Sequence, residues 1–153
     1  MSALAIALHA LASTVWVGGM FLAYVVLRPS FGALAASDRL ALWQRVFERF
    51  FKWVIAAIAV LLVSGYWLLF VTYGGFGGAG VHIHIMHLTG WLMFLLFFHL
   101  FFVPWKRYQR ALAANDNAGA GRWLGQIRLI VAVNLALGLA TAAIGASGRF
   151  WYF

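Results

Sequence analysis

The chain has 153 residues, of which 65% are hydrophobic and 9% are charged, and its formal net charge is +8. A soluble domain carries about 25% charged residues, so this composition excludes an ordinary water-soluble fold and predicts a surface that faces lipid. The excess of Lys and Arg is interpreted as loops beside anionic lipid headgroups, not as a nucleic-acid interface. Because the chain has no cysteine, disulfides and thiolate metal sites are excluded.

Four apolar segments are long enough to cross a bilayer, which takes about 20 residues. They cover about 3–27, 53–73, 81–105 and 129–147. The first lacks a positive n-region and is about twice as long as a signal-peptide core, so we expect it to be retained. A glycine-rich run from Gly74 to Gly80 separates the second from the third, since clustered glycine disfavours helix. The sequence therefore predicts a single all-α domain over 1–153, an integral membrane four-helix bundle.

The distribution of cations predicts the orientation of the bundle. The second loop has no Lys or Arg and the C-terminal tail has only Arg149, whereas the first and third loops are rich in both. Under the positive-inside rule, the first and third loops are cytoplasmic and both termini are periplasmic, in a bacterial inner membrane. The cations of these two loops and their flanks are Arg28, Arg39, Arg45, Arg49 and Lys52, and Lys106, Arg107, Arg110, Arg122 and Arg128.

The first cytoplasmic loop has the pattern of a short amphipathic helix from Ser37 to Lys52. Leu40, Trp43 and Phe47 recur at helical spacing, and charged residues occupy the other face. We expect this helix to lie in the inner membrane interface.

Histidines are the candidate functional residues, because an ionisable group inside the bilayer is costly and is by default a functional candidate. His9 and His87 each lie six residues into a helix that descends from the outer face, at a depth of about 9 Å. Two imidazoles at one depth on facing helices are what a b-type heme requires. Tyr66 is expected at the same level. Arg149 is expected above it, where it can pair with a heme propionate or, alternatively, is a solvated cation of the C-terminal tail. The alternative is a histidine pair that only joins two helices by hydrogen bonds.

The run VHIHIMH at the start of the third helix adds His82 and His84. Helical spacing puts His84 and His87 on one face and His82 off it. Imidazole and thioether are copper ligands, so this group suits copper. Alternatively, His82 and His84 only cap the helix mouth among the headgroups or adjoin heme propionates. His99 lies about 18 Å deeper than His87 and has no histidine at its level on another helix.

Two segments resemble known membrane proteins. LHALASTVWVGGMFLAYVVLRP, which contains His9, resembles the first helix of the copper-resistance protein D (CopD) family, and GRWLGQIRLIVAVNLALGLATAAIG resembles its last helix. This resemblance implies copper handling at the inner membrane and a histidine-dependent metal role, with His9 as the best-matched position. The first helix also resembles the HemJ-type protoporphyrinogen oxidase family, whose small four-helix members bind heme.

Three functions follow from these features. The first is a heme b protein that transfers electrons from a quinol to an outer acceptor, which would make it a membrane oxidoreductase with a quinone and a periplasmic redox protein as partners. The second is copper transport or delivery, with a periplasmic copper-binding protein as partner. The third is a structural subunit of a larger membrane complex. The oligomeric state is left open.

The orientation can be tested with reporter fusions. A reporter that is active only in the periplasm should be active when it is fused after Phe153 and inactive when it is fused near Asn117. The opposite pattern would overturn the orientation and the depths that depend on it.

Overall fold

A computed structural model describes residues 1–151 of the chain, except for the side chain of Arg149. Four helical spans are long and apolar enough to cross a membrane, which confirms the all-α, four-span prediction. The third span consists of two helices that meet at Val103. The sides on which the termini lie remain a prediction. The long helices are α1 (Ser2–Ala33), α2 (Ala36–Thr72), α3 (Val81–Phe102), α4 (Pro104–Ala113) and α5 (Asn117–Ser147).

Helix α2 is continuous over 37 residues, which gives it a length of about 55 Å. The hydrocarbon core of a bilayer is about 30 Å thick, so the charged half of α2 extends beyond it. The prediction of a separate interfacial helix from Ser37 to Lys52 is therefore wrong, because α2 continues through Lys52 without a break. Its apolar stripe packs against the bundle instead of lipid, with Leu40, Trp43 and Phe47 all buried.

Proline shapes the other cation-rich segment. Pro104 has no backbone N–H to continue the helix, and Val103 before it adopts φ −110° and ψ −80°, so α3 ends there and α4 begins. The expected fourth helix also begins earlier, at Asn117 instead of near 129, because the Asp116 carboxylate accepts a hydrogen bond from the Gly119 N–H at 2.8 Å and caps α5. A short turn joins α4 to α5.

At one end of the bundle, the first part of α2 packs against α4 and α5. We call this the arginine end, since Arg28, Arg39 and Arg128 lie there. The Tyr108 hydroxyl donates a 2.6 Å hydrogen bond to the Leu40 carbonyl, and both residues are buried. This bond fixes α4 against the start of α2.

The opposite end is the histidine end, which contains His9, His82 and the loop 73–80. Gly74 and Gly75 adopt φ of 71° and 92°, a region that favours glycine, so the chain can turn sharply from α2 into α3. The Thr72 hydroxyl donates to the Ser2 hydroxyl at 3.1 Å and joins the end of α2 to the start of α1.

The Tyr108 bond can be tested by Tyr108→Phe, which removes the hydroxyl and keeps the ring. The Leu40 carbonyl is then left without this donor in a buried site, so the free energy of unfolding should fall by about 1–3 kcal/mol. Tyr73→Phe is the control, because Tyr73 is partly exposed at the histidine end. Thermal unfolding in detergent measures both. Equal stability of the two variants would contradict the assigned role.

Candidate metal centre

His84 and His87 pack against the same side chain in the first turns of α3. Their spacing of three residues puts them on one helical face. The Phe76 ring, from the glycine-rich loop, stacks on His84 with centroids 6.1 Å apart and meets His87 edge-on at 5.2 Å. Phe76 of the loop thus contacts both imidazoles, of which His84 is exposed and His87 half-buried.

Aromatic rings also surround His87 on the side toward the membrane centre. Tyr66 of α2 lies 5.7 Å from the His87 ring and Trp91 lies 6.4 Å from it, both measured between ring centroids. The Trp91 indole N–H donates to the Tyr66 hydroxyl at 3.3 Å, which holds these two rings together. Tyr66, expected at the level of the site, therefore contacts His87 directly.

His82 and Met86 lie on a different face, toward α5. A Cβ added at Gly145 would lie 2.8 Å from the Met86 Cε, and one added at Gly148 would collide with the His82 ring. His82 also lies 6.3 Å from the Trp151 ring. The motif VHIHIMH is thus divided between two faces, and His82 and Met86 are not part of the group around Phe76.

His9 is held by α2. Its Nδ1 lies 2.9 Å from the Ser64 hydroxyl, which itself donates to the Val60 carbonyl at 2.6 Å. Since a hydroxyl has one proton, we assign the proton of the histidine bond to Nδ1, which leaves Nε2 with a free lone pair. Gly65 makes room for the ring, because a Cβ there would lie 3.2 Å from His9 Cε1.

The histidines therefore have different neighbours. His9 contacts Ser64 and Gly65, whereas His87 contacts Tyr66 and the two other rings. His99 is exposed on α3, far from this group. The Arg149 side chain lies outside the described residues. Within residues 1–151, no three His, Asp or Glu side chains form a group that could hold a metal.

Sequence reasoning did not identify Phe76 and Trp91 as parts of this site. Trp91 occurs four residues after His87, a spacing that places it on the same helical face, and this signal was available. Phe76 gave only a weak signal, as a single aromatic residue within a run of glycines.

The fold and the site define a multi-pass helical membrane protein in which two imidazoles at the start of α3 pack against one aromatic ring. The sequence profile of the copper resistance protein D family matches residues 44–147, more than half of the chain. The chain therefore belongs to the CopD family. Its four apolar spans agree with a location in the bacterial inner membrane. No curated protein and no solved structure matches it.

The matched segment includes His82, His84 and His87 but begins after His9. It therefore does not address the resemblance of the first helix to HemJ-type proteins. The family description concerns copper, so it favours the copper interpretation over the heme interpretation.

The His9 assignment can be tested by imidazole ¹⁵N NMR. Ser64→Ala removes the acceptor of the Nδ1 proton, so the His9 ring should exchange between tautomers while the His84 and His87 signals stay in place. Ser13→Ala is the matched control, because Ser13 lies one turn from His9 and bonds only to the Ala10 carbonyl of its own helix. Unchanged His9 signals in Ser64→Ala would contradict the assignment.

Proposed function

We propose that this protein binds copper at the histidine end, with His84 and His87 as the ligands, and exchanges it with a periplasmic copper-binding protein. The observation that supports this most directly is that one ring, Phe76, packs against both imidazoles. The choice of copper as the metal rests on the family match.

The chemistry of the group favours Cu(I). A structural zinc site takes four ligands in a tetrahedron, whereas Cu(I) is stable with fewer and accepts soft ligands and imidazole. Two imidazoles can therefore form a Cu(I) site, but they are too few for a structural zinc site. The faces of Phe76 and Trp91 can also attract a cation.

His9 is the best candidate for the next ligand along α1 and α2. Its Nε2 lone pair is free when Ser64 accepts the proton of Nδ1. The His9 ring lies beside Gly65 of α2. The next residue of α2, Tyr66, packs on His87. We infer that His9 receives or releases copper on the membrane side of the pair.

The surroundings of His87 and the family match both support copper over heme b. Tyr66 and Trp91 pack on His87 with ring centroids 5.7 and 6.4 Å away, so a single ion needs less rearrangement beside this ring than a macrocycle would. The family description concerns copper.

The interior favours delivery at one face over transport across the membrane. Apart from tyrosine and tryptophan, the buried polar side chains among the described residues are Ser64 and Asn134. Asn134 donates to the Met93 carbonyl at 3.2 Å, so its amide N–H is used to join α5 to α3. Toward the arginine end the remaining candidate copper ligands are the buried thioethers of Met93 and Met20 and the exposed His99, so a path in that direction would have few ligands.

The decisive measurement is Cu(I) affinity of the purified protein in detergent, by competition with a chromophoric Cu(I) chelator. His84→Ala and His87→Ala should each weaken binding by about tenfold or more, since each removes a metal–nitrogen bond. His99→Ala is the matched control, because it removes an exposed histidine from the same helix. It should leave the affinity unchanged.

Equal Cu(I) affinity in all three variants would overturn the site. The same preparations distinguish the heme interpretation. A Soret band in the wild type that disappears in both His9→Ala and His87→Ala would establish a bis-histidine heme in place of the copper pair.

A further inference from the structure

A cleft opens at the arginine end, between α1, α2 and α5, on the opposite side of the bundle from the candidate copper site. Its walls are polar toward the end of the bundle and apolar toward the membrane centre. The polar part contains Arg28, Trp43 and Arg128, and the apolar part contains Ala23, Phe47 and Val131.

Two buried donors of this cleft have no acceptor. The Trp43 indole N–H and the Arg128 Nε–H are each buried and make no hydrogen bond within the described part of the chain. Trp43 is only 1% exposed, so bulk water does not provide an acceptor for its indole N–H. A buried unsatisfied donor costs about 1–3 kcal/mol, and more when it is charged. Two such donors at one cleft indicate that an acceptor from outside the chain completes it.

The charges around the cleft indicate that this acceptor is an anion. Arg28 and Arg39 both lie close enough to Arg128 for their positive charges to repel its positive charge. The Arg128 guanidinium lies 5.6 Å from the Trp43 ring and the Arg28 guanidinium 5.0 Å from the Tyr24 ring, so aromatic faces hold both cations in place.

The three carboxylates of the sequence do not neutralise this group. Asp116 caps α5 through Gly119, and Glu48 accepts a hydrogen bond from Gln44 at 3.0 Å. Asp38 lies in the exposed first turn of α2. An arginine group with two unused donors suits a phosphate, whose oxygens accept from several N–H groups at once.

We propose that the Trp43–Arg128 cleft binds the phosphate of an anionic phospholipid headgroup. Both residues line the cleft, and its enclosed space has room for about one water-sized atom, so a single phosphate oxygen can enter it while the rest of the group lies at the mouth. The apolar wall of Ala23, Phe47 and Val131 continues from the donors toward the membrane centre. A glycerol backbone and its acyl chains can cover this wall, which a free phosphate ion would leave bare.

Native mass spectrometry of the protein in detergent tests the site, with phosphatidylglycerol as the probe and phosphatidylcholine as the uncharged comparison. Wild type should bind phosphatidylglycerol preferentially. Arg128→Gln should bind it about tenfold more weakly, since a charge-assisted bond is lost. Trp43→Phe should lose about fivefold, because it removes one neutral donor and keeps an aromatic ring. The matched control is Arg122→Gln, an exposed arginine of the same helix, which should bind as wild type does.

Inorganic phosphate, titrated without lipid, separates the two sources of the group. Phosphate that stabilises the wild type but not Arg128→Gln, in a protein that shows no lipid preference, would overturn the lipid source and leave a soluble anion. Equal phosphatidylglycerol binding by wild type, Arg128→Gln and Trp43→Phe would overturn the site itself. Arg128→Lys keeps the charge without the Nε donor, so it carries the test if Arg128→Gln does not fold.

Discussion

The unbroken length of α2 is the constraint on which both ends of the bundle depend. In a bilayer every backbone N–H and C=O must be satisfied within the protein, which a continuous helix does along its length. Because α2 is continuous, the directions of the side chains at its two ends are fixed relative to each other. One end of this rod presents Trp43 to Arg128, and the other presents Ser64 to His9 and Tyr66 to His87. The copper proposal and the phosphate proposal therefore share one structural element. A twist of α2 would disturb both.

The number and position of the membrane spans could be predicted because they follow from hydropathy and from the glycine-rich run. The extent of the helices could not. An amphipathic stripe such as that of Leu40, Trp43 and Phe47 has the same pattern whether it faces lipid headgroups or other helices. Only the partners decide, here Tyr108 and the rings of α4. Charged residues mark where a membrane span ends, but a helix continues in water, as α5 does from Asn117.

The candidate site was predicted in part for a similar reason. Helical spacing gives the rotation of residues within one helix, so the shared face of His84 and His87 could be derived from the sequence. Counting residues gives the depth of a side chain but not its direction across the bundle. The different neighbours of His9 and His87 could therefore not be derived from the sequence. Phe76 comes from a loop, whose path depends on left-handed glycines that no periodic pattern reveals. The choice between heme and copper rested on family membership more than on spacing.

The dimensions of α2 have a consequence for the host membrane. Lys52 and the largely exposed Trp53 stand where the charged part of the helix gives way to its apolar part, and such residues anchor a helix at a bilayer surface. Ser64 lies 12 residues further along, about 18 Å above this anchor. If the anchor holds its level, a thicker bilayer raises the far headgroups while His9 stays in place. Lipid composition would then set how far an ion must travel from water to reach His9.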